Sequence, residues 1–204
     1  MSRRSPATAG HSGTTQAPDW LGTNRPESAA SRILDVAGDL FVTHGVTAVN
    51  MNQIATAAGC SRATLYRYFA SRSELHLAYV ERQARRLSTA VSAATAEITD
   101  PGERITESIL TAVAGVRSDP VMRSWFSPEA AGLAGAMGTT SESVNKAAIA
   151  LITGETTAPE AELTLEARFI VRMVISLLMT PGSDAAEERE IVTRFVTPAI
   201  LRRY

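Results

Sequence analysis

Cysteine is almost missing from this chain: Cys60 stands alone among 204 residues. A single thiol excludes an intrachain disulfide and any thiolate cluster for zinc or iron–sulfur, and it fits a reducing compartment. Aromatic residues are scarce too, at 5%. With alanine, leucine, arginine and glutamate recurring throughout, that balance suits helices better than sheets. The longest apolar run, Phe169–Met179, is interrupted by Arg172 and is too short to span a bilayer. Arg3 and Arg4 are not followed by an apolar segment, so no signal peptide is expected and a soluble cytoplasmic protein is the default. Histidine is limited to His11, His44 and His76, expected in an N-terminal arm, at a helix end and on an exposed helix start. No Gly-rich phosphate loop, nucleophile elbow or metal-ligand spacing appears. An enzyme, a cofactor and a resident metal are therefore not expected.

The formal net charge of -1 argues for no anionic partner by itself, but its distribution does. Between Asp39 and Glu74 no acidic residue occurs, while Arg62, Arg67 and Arg72 do. Any nucleic-acid surface is thus local, confined to one face of the N-terminal part. Residues 1–26, rich in Ser, Thr, Ala, Gly and Pro and without periodicity, are expected to form a flexible arm.

Periodicity begins at Ser28. Ile33, Leu34, Ala37, Leu40 and Phe41 form one amphipathic stripe, stopped by Gly45. Asn50 is a natural N-cap for a second short helix with Met51, Ile54, Ala55 and Ala58 inward. Gly59 ends it, Ser61 caps a third helix running to Phe69, and Ser71 or Ser73 caps a long fourth reaching about Ile98. Further helices are expected at Glu103–Arg117, Val121–Leu133, Ser141–Ile152, Pro159–Met179 and Asp184–Thr197, with breaks including Gly135–Thr140. The expectation is an all-α chain of about nine helices without a convincing strand.

Residues 50–69 carry the chemistry. A helix-turn-helix packs two short helices steeply around a tight turn. Ala55 is small where the second helix crosses, Gly59 can take the left-handed turn conformation, and Leu65 plugs the angle. The outward face of the second helix is then Arg62, Ala63, Thr64, Arg67 and Tyr68. Arginine can donate to guanine or phosphate, threonine can bond or meet a thymine methyl, and alanine permits close approach. Tyr66 and Tyr68 present hydroxyls suited to phosphate oxygens, contacts that set position rather than specificity.

The stretch from Ile33 to Phe41, together with His44-Gly45, Ile54-Ala55, Ala58-Gly59, Thr64 to Phe69 and Ser73-Glu74-Leu75, resembles the TetR family of bacterial repressors. The resemblance covers about residues 28–80; beyond residue 100 it is architectural only. It implies a helix Arg62–Tyr68 in the major groove and phosphate contacts near Thr47, Asn52 and the start of the fourth helix. The candidate DNA-contacting set is accordingly Thr47, Asn50, Asn52, Arg62, Ala63, Thr64, Tyr66, Arg67, Tyr68 and Arg72. Three positions depart from the common pattern. Arg72 stands where lysine is usual, Tyr68 where histidine is frequent, and Cys60 where valine is commoner. Cys60 is read as a small buried hydrophobe rather than a redox sensor.

The resemblance further implies an effector-binding and dimerisation body, giving three regions: an arm at 1–26, a helix-turn-helix domain at 27–73 and a ligand-binding and dimerisation domain at 74–204. The residues support a dimer independently. Phe169, Ile170, Met173, Val174, Leu177 and Leu178 are too many for one narrow helix face, so both sides need burial, one of them against a partner subunit. Phe195 joins this candidate homodimer interface; a helix central to a monomeric core is the alternative. Tyr79, Gln83, Met122, Trp125, Phe126, Asn145, Arg168 and Arg172 are the polar or bulky candidates for an effector cavity, each with core filler or solvated surface as the plainer role. The function that follows is a ligand-responsive repressor binding double-stranded DNA at a palindromic operator; a helical protein-interaction module without DNA binding is the rival.

Overall fold

The computed structural model describes residues 26–153 and 164–201. The N-terminal arm with Arg3 and Arg4, and the segment expected to open a helix at Pro159, lie outside the described residues. The chain begins with α1 (Pro26–His44), α2 (Met51–Ala57), α3 (Arg62–Tyr68) and the long α4 (Arg72–Ala94). There follow α5 (Pro101–Ser118), α6 (Pro120–Ser124), α7 (Ala131–Thr140), α8 (Glu142–Thr153) and α9 (Thr164–Met179). The last described segment joins α10 (Ala185–Ile191), a π-helical turn (Val192–Val196) and α11 (Thr197–Leu201). Among the described residues the architecture is all-α, as expected, with eleven α-helical segments rather than nine.

The first four helices start and stop where their capping residues dictate. Gly45, at φ 84°, and Gly59, at φ 64°, both adopt the left-handed region, which a side chain would strain. Asn50 and Gln53 make a reciprocal capping box: Asn50 Oδ1 accepts from the amides of Asn52 and Gln53, and Gln53 Oε1 accepts from the amide of Asn50. Ser61 Oγ accepts from the Thr64 amide at the start of α3, and Ser71 Oγ accepts from the Glu74 amide at the start of α4.

Four boundaries differ from the expectation, each for a local reason. The expected helix Val121–Leu133 is broken after Ser124, because Pro128 offers no amide and disfavours helical geometry at Ser127. The expected break at Gly135–Thr140 is instead the body of α7. Its glycines are poor helix formers, but a Cβ on Gly138 would meet Ile175 Cδ1 at 3.0 Å, so tight packing on α9 overrides propensity. Helix α4 ends at Ala94, where the Thr95 hydroxyl donates to the Val91 carbonyl. The last helix continues past Thr197: Pro198 cannot donate to the preceding turn, and the wider π register at Val192–Val196 accommodates it.

Two hydrophobic cores result, and α4 runs through both. Ile33, Phe41, Ile54, Leu65, Leu75 and Tyr79 centre the first, which also takes in Trp125, Ala130 and Ala134. Val91, Ile105, Ile109, Ile170, Val192 and Ile200 centre the second, where α4, α5, α8, α9 and the last helices meet. A partly buried ion pair locks the base of this bundle. Arg117 donates to both Glu188 oxygens, at 2.8 and 2.7 Å, and to the Leu177 carbonyl at 2.8 Å, while Glu188 also accepts from the Gly182 amide. The guanidinium holds the Glu188 carboxyl below its ordinary range.

Ile170 and Leu177 are fully packed in the second core, so they are unavailable to a partner subunit, contrary to the sequence expectation. The outward stripe of α9 is Leu165, Arg168, Phe169, Arg172, Met173 and Ser176.

Replacing Glu188 by alanine leaves the Arg117 guanidinium without its carboxylate and strands the Gly182 amide. The expected loss is about 2 kcal/mol, the usual range for hydrogen bonds to a charged group, measurable as a lowered urea midpoint. An unchanged midpoint would show that the pair contributes nothing net.

Candidate nucleic-acid interface

The pair α2–α3 forms the bent unit that the sequence pattern requires. Ala55 and Ala58 are buried, the Gly59 and Cys60 amides donate to the Thr56 and Ala55 carbonyls, and Leu65 is completely enclosed. With Leu65 inward, helical geometry turns Arg62, Ala63, Tyr66 and Arg67 to solvent. Tyr66 is 40% exposed, unusual for a large aromatic ring, and the Arg62 guanidinium lies over it, 5.9 Å from its centroid.

Not every candidate occupies that face in the same way. Thr47 and Asn52 are exposed on the same unit. The Asn50 carboxamide is engaged in the capping box, which fixes α2 rather than leaving a free donor–acceptor pair. Thr64 is half-buried and shares a hydrogen bond of 2.9 Å with Ser61 Oγ. Tyr68 is half-buried against the first core, with Arg67 over its ring. Arg72 is half-buried and donates to the Thr47 carbonyl at 2.8 Å. That bond ties the start of α4 to the loop ahead of α2, a positioning role that the sequence pattern does not reveal. Gln53 and Glu74 are likewise absent from the sequence-based candidates. Each is an acceptor side chain three residues into its helix, and each closes a cap, Glu74 by accepting from the Ala70 amide. Cys60 is half-buried against the first core, and burial raises its thiol pKa, which disfavours the thiolate.

Behind this unit lies a knot of aromatic rings. Phe41 of α1 meets His76 and Tyr79 of α4 and Trp125 edge-on, at 5.3, 5.4 and 5.6 Å. Trp125 in turn stacks on Tyr79. His76, expected on an exposed helix start, is instead 2% exposed. It sits on the inner face of α4, one turn after Arg72, where α1 and Trp125 cover it. Burial, assisted by the Arg72 charge, pushes its pKa down to about 4.

Beyond the knot, a cavity of about 160 Å³ opens between α4, α5, α8 and α9 and the α6–α7 segment. Of the sequence candidates, Tyr79, Gln83, Met122, Trp125 and Phe126 line it, and Ile170 and Val174 of the expected dimer set do so too. Asn145, Arg168 and Arg172 do not. Both arginines project to solvent, so Arg172 needs no buried carboxylate partner despite its apolar neighbours. Among the described residues no cluster of metal-ligating side chains occurs, and no helix is long and apolar enough to cross a membrane.

A bent helix pair with a basic outer face, mounted on a helical bundle, defines a helix-turn-helix DNA-binding regulator. The family model for bacterial regulatory proteins of the tetR family matches residues 33–79. An uncharacterized HTH-type transcriptional regulator of Mycobacterium tuberculosis is 44% identical over 184 residues, which are 89% of this chain and 90% of that one. Among solved structures, the TetR family repressor AlkX from a Dietzia strain, implicated in n-alkane biodegradation, superimposes with a TM-score of 0.63 at 22% identity. It covers 85% of this chain and 95% of its own. RolR in complex with resorcinol has a TM-score of 0.58 at 21% identity, covering 87% of each chain. This chain therefore belongs to the tetR family and is a DNA-binding transcriptional regulator.

The depressed His76 pKa makes stability depend on pH. The unfolded chain takes up the proton near the ordinary 6.5 and the folded chain only near 4. Stability from a neutral His76 is therefore complete above about 6.5 and lost as pH falls towards 4. A His76→Phe variant should lose less stability than the parent between those values in thermal melts; parallel curves would contradict the assignment.

Proposed function

We propose that this regulator is a ligand-responsive repressor that binds a palindromic operator as a homodimer, with residues 27–73 as its DNA-binding domain and 74–204 as its ligand-binding and dimerisation domain. The observation that carries the reading is the double use of α4. Arg72 in its first turn is bonded to the loop ahead of the helix-turn-helix, and the same helix walls the cavity from Tyr79 to Val91. A molecule that prefers one arrangement of the cavity walls shifts the population of α4 positions, and so the spacing of two recognition helices across a dimer. The resorcinol complex of RolR supports a small-molecule ligand for a fold of this kind, and the repressor AlkX supports the sign of regulation.

In this reading Arg62, Ala63 and Thr64 approach base edges at the start of α3. Thr47, Asn52, Tyr66, Arg67 and Tyr68 contact phosphates, while Asn50 and Arg72 hold the unit that presents them. The dimer forms through the outward stripe of α9 and the segment around Phe195. Leu165 is 68% exposed and Phe195 65%, large apolar groups that a monomer would leave in water. Phe169 and Met173 flank them, half-buried. No enzymatic role is needed, and a cytoplasmic location follows from acting on genomic DNA.

Arg62→Ala and Tyr66→Ala are each expected to weaken binding to operator fragments selected from the source genome by about 1–3 kcal/mol, with helix content unchanged. Unaltered affinity in both would move the recognition face elsewhere and favour a protein-interaction module. For the dimer, the paired substitution Met173→Asp and Phe195→Asp should give monomers by light scattering. Persistence of the dimer would place the interface on another surface.

A further inference from the structure

The cavity is selective in what it offers. Its lining runs along α4 from Tyr79 to Val91, twelve residue rises and about 18 Å at 1.5 Å per residue, which makes it long as well as narrow. Among the described residues that line it, none carries a charge. The hydrogen-bonding side chains are few: Tyr79 and Gln83 at one end, with Trp125 beside them, and Ser88 further along. Gln83 Nε2 donates to Tyr79 Oη at 2.6 Å, which leaves the phenolic hydrogen and the second amide hydrogen as donors and the Gln83 carbonyl as an acceptor. A carboxylate or ammonium enclosed here would lose its hydration without a charged lining residue to pair with, the Arg82 guanidinium beside Tyr79 being engaged by Asp35, whereas hydrocarbon loses nothing.

Resting on the reading of the cavity as the effector site, we infer that the effector is an uncharged, chain-like aliphatic molecule with at most one terminal hydroxyl or carbonyl oxygen, seated at the Tyr79–Gln83 pair. That end is where a signal is needed. A methyl group on Gly38 of α1 would lie 3.1 Å from the Tyr79 hydroxyl, so the pair abuts the DNA-binding unit without slack. An oxygen bonded to Tyr79 acts directly on the contact between α1 and α4.

The test uses decane, decanol and decanoate as probes on the full chain, read by Trp125 fluorescence in a Trp20→Phe background at pH 8. Decanol and decane should give saturable changes, with decanoate at least tenfold weaker. Ala148→Phe on α8 should fill the cavity and weaken decanol at least tenfold. Should that variant fold poorly, Val174→Phe on the half-buried side of α9 fills the same space. Gln83→Leu should weaken decanol while leaving decane unchanged. Decanoate binding as tightly as decanol, no saturation by either neutral probe below its solubility limit, or unchanged binding in the filled variants would each overturn the inference. Tight decanol binding in the cavity with undiminished operator affinity would instead overturn the ligand-responsive reading and leave the ligand class standing.

Discussion

The contact on which the rest of this structure depends is the packing of Phe41 against His76, Tyr79 and Trp125. These residues come from α1, α4 and the turn after α6, and their rings close the first core from behind. Beside them, the three-helix DNA-binding unit meets the bundle through Ala130 and Ala134 and through the Arg82–Asp35 ion pair. With these rings, a helix that lines a cavity and a helix that supports the recognition unit share one dry, close-packed interface. Interiors of this density shift between discrete arrangements rather than deforming smoothly, so in the proposed switch a small change at Tyr79 would be passed on as a movement of whole helices.

The electrostatics agree with that division of labour. The acid-free stretch from residue 40 to 73 leaves the exposed α3 face basic, while charges elsewhere pair with one another, as in Arg117–Glu188 and Arg82–Asp35. His76 is neutral at physiological pH because burial and Arg72 both oppose its charge. In the proposed switch, the interior between recognition face and cavity would transmit shape rather than charge.

Much of this is legible in the residues, and the limits have physical causes. Short-range signals read correctly: glycines at two left-handed turns, Asn50 and Ser61 as caps, and Leu65 as the plug of the bent pair; of the two serines offered for the fourth helix, Ser71 is the cap. Long-range packing does not. Gly138 sits in a helix because Ile175 of α9 presses on it, a fact no local propensity holds. His76 looks exposed in sequence because its burial depends on Phe41 and Trp125, 35 and 49 positions away in the chain. On α9 the apolar count indicates two buried sides, but only the folded bundle assigns Ile170 and Leu177 to the inner one and leaves Phe169 and Met173 on the outer. The cavity is half legible: the bulky candidates near Trp125 lie on its wall, and the charged ones do not.

The central claim, that cavity occupancy moves the recognition helices through α4, is tested most directly by a distance between them. Spin labels at position 63 of both subunits, introduced as Ala63→Cys in a Cys60→Ser background, report that separation by pulsed electron resonance. Saturation with decanol should shift the distance distribution. An unchanged distribution, with decanol demonstrably bound in the cavity, would contradict the account.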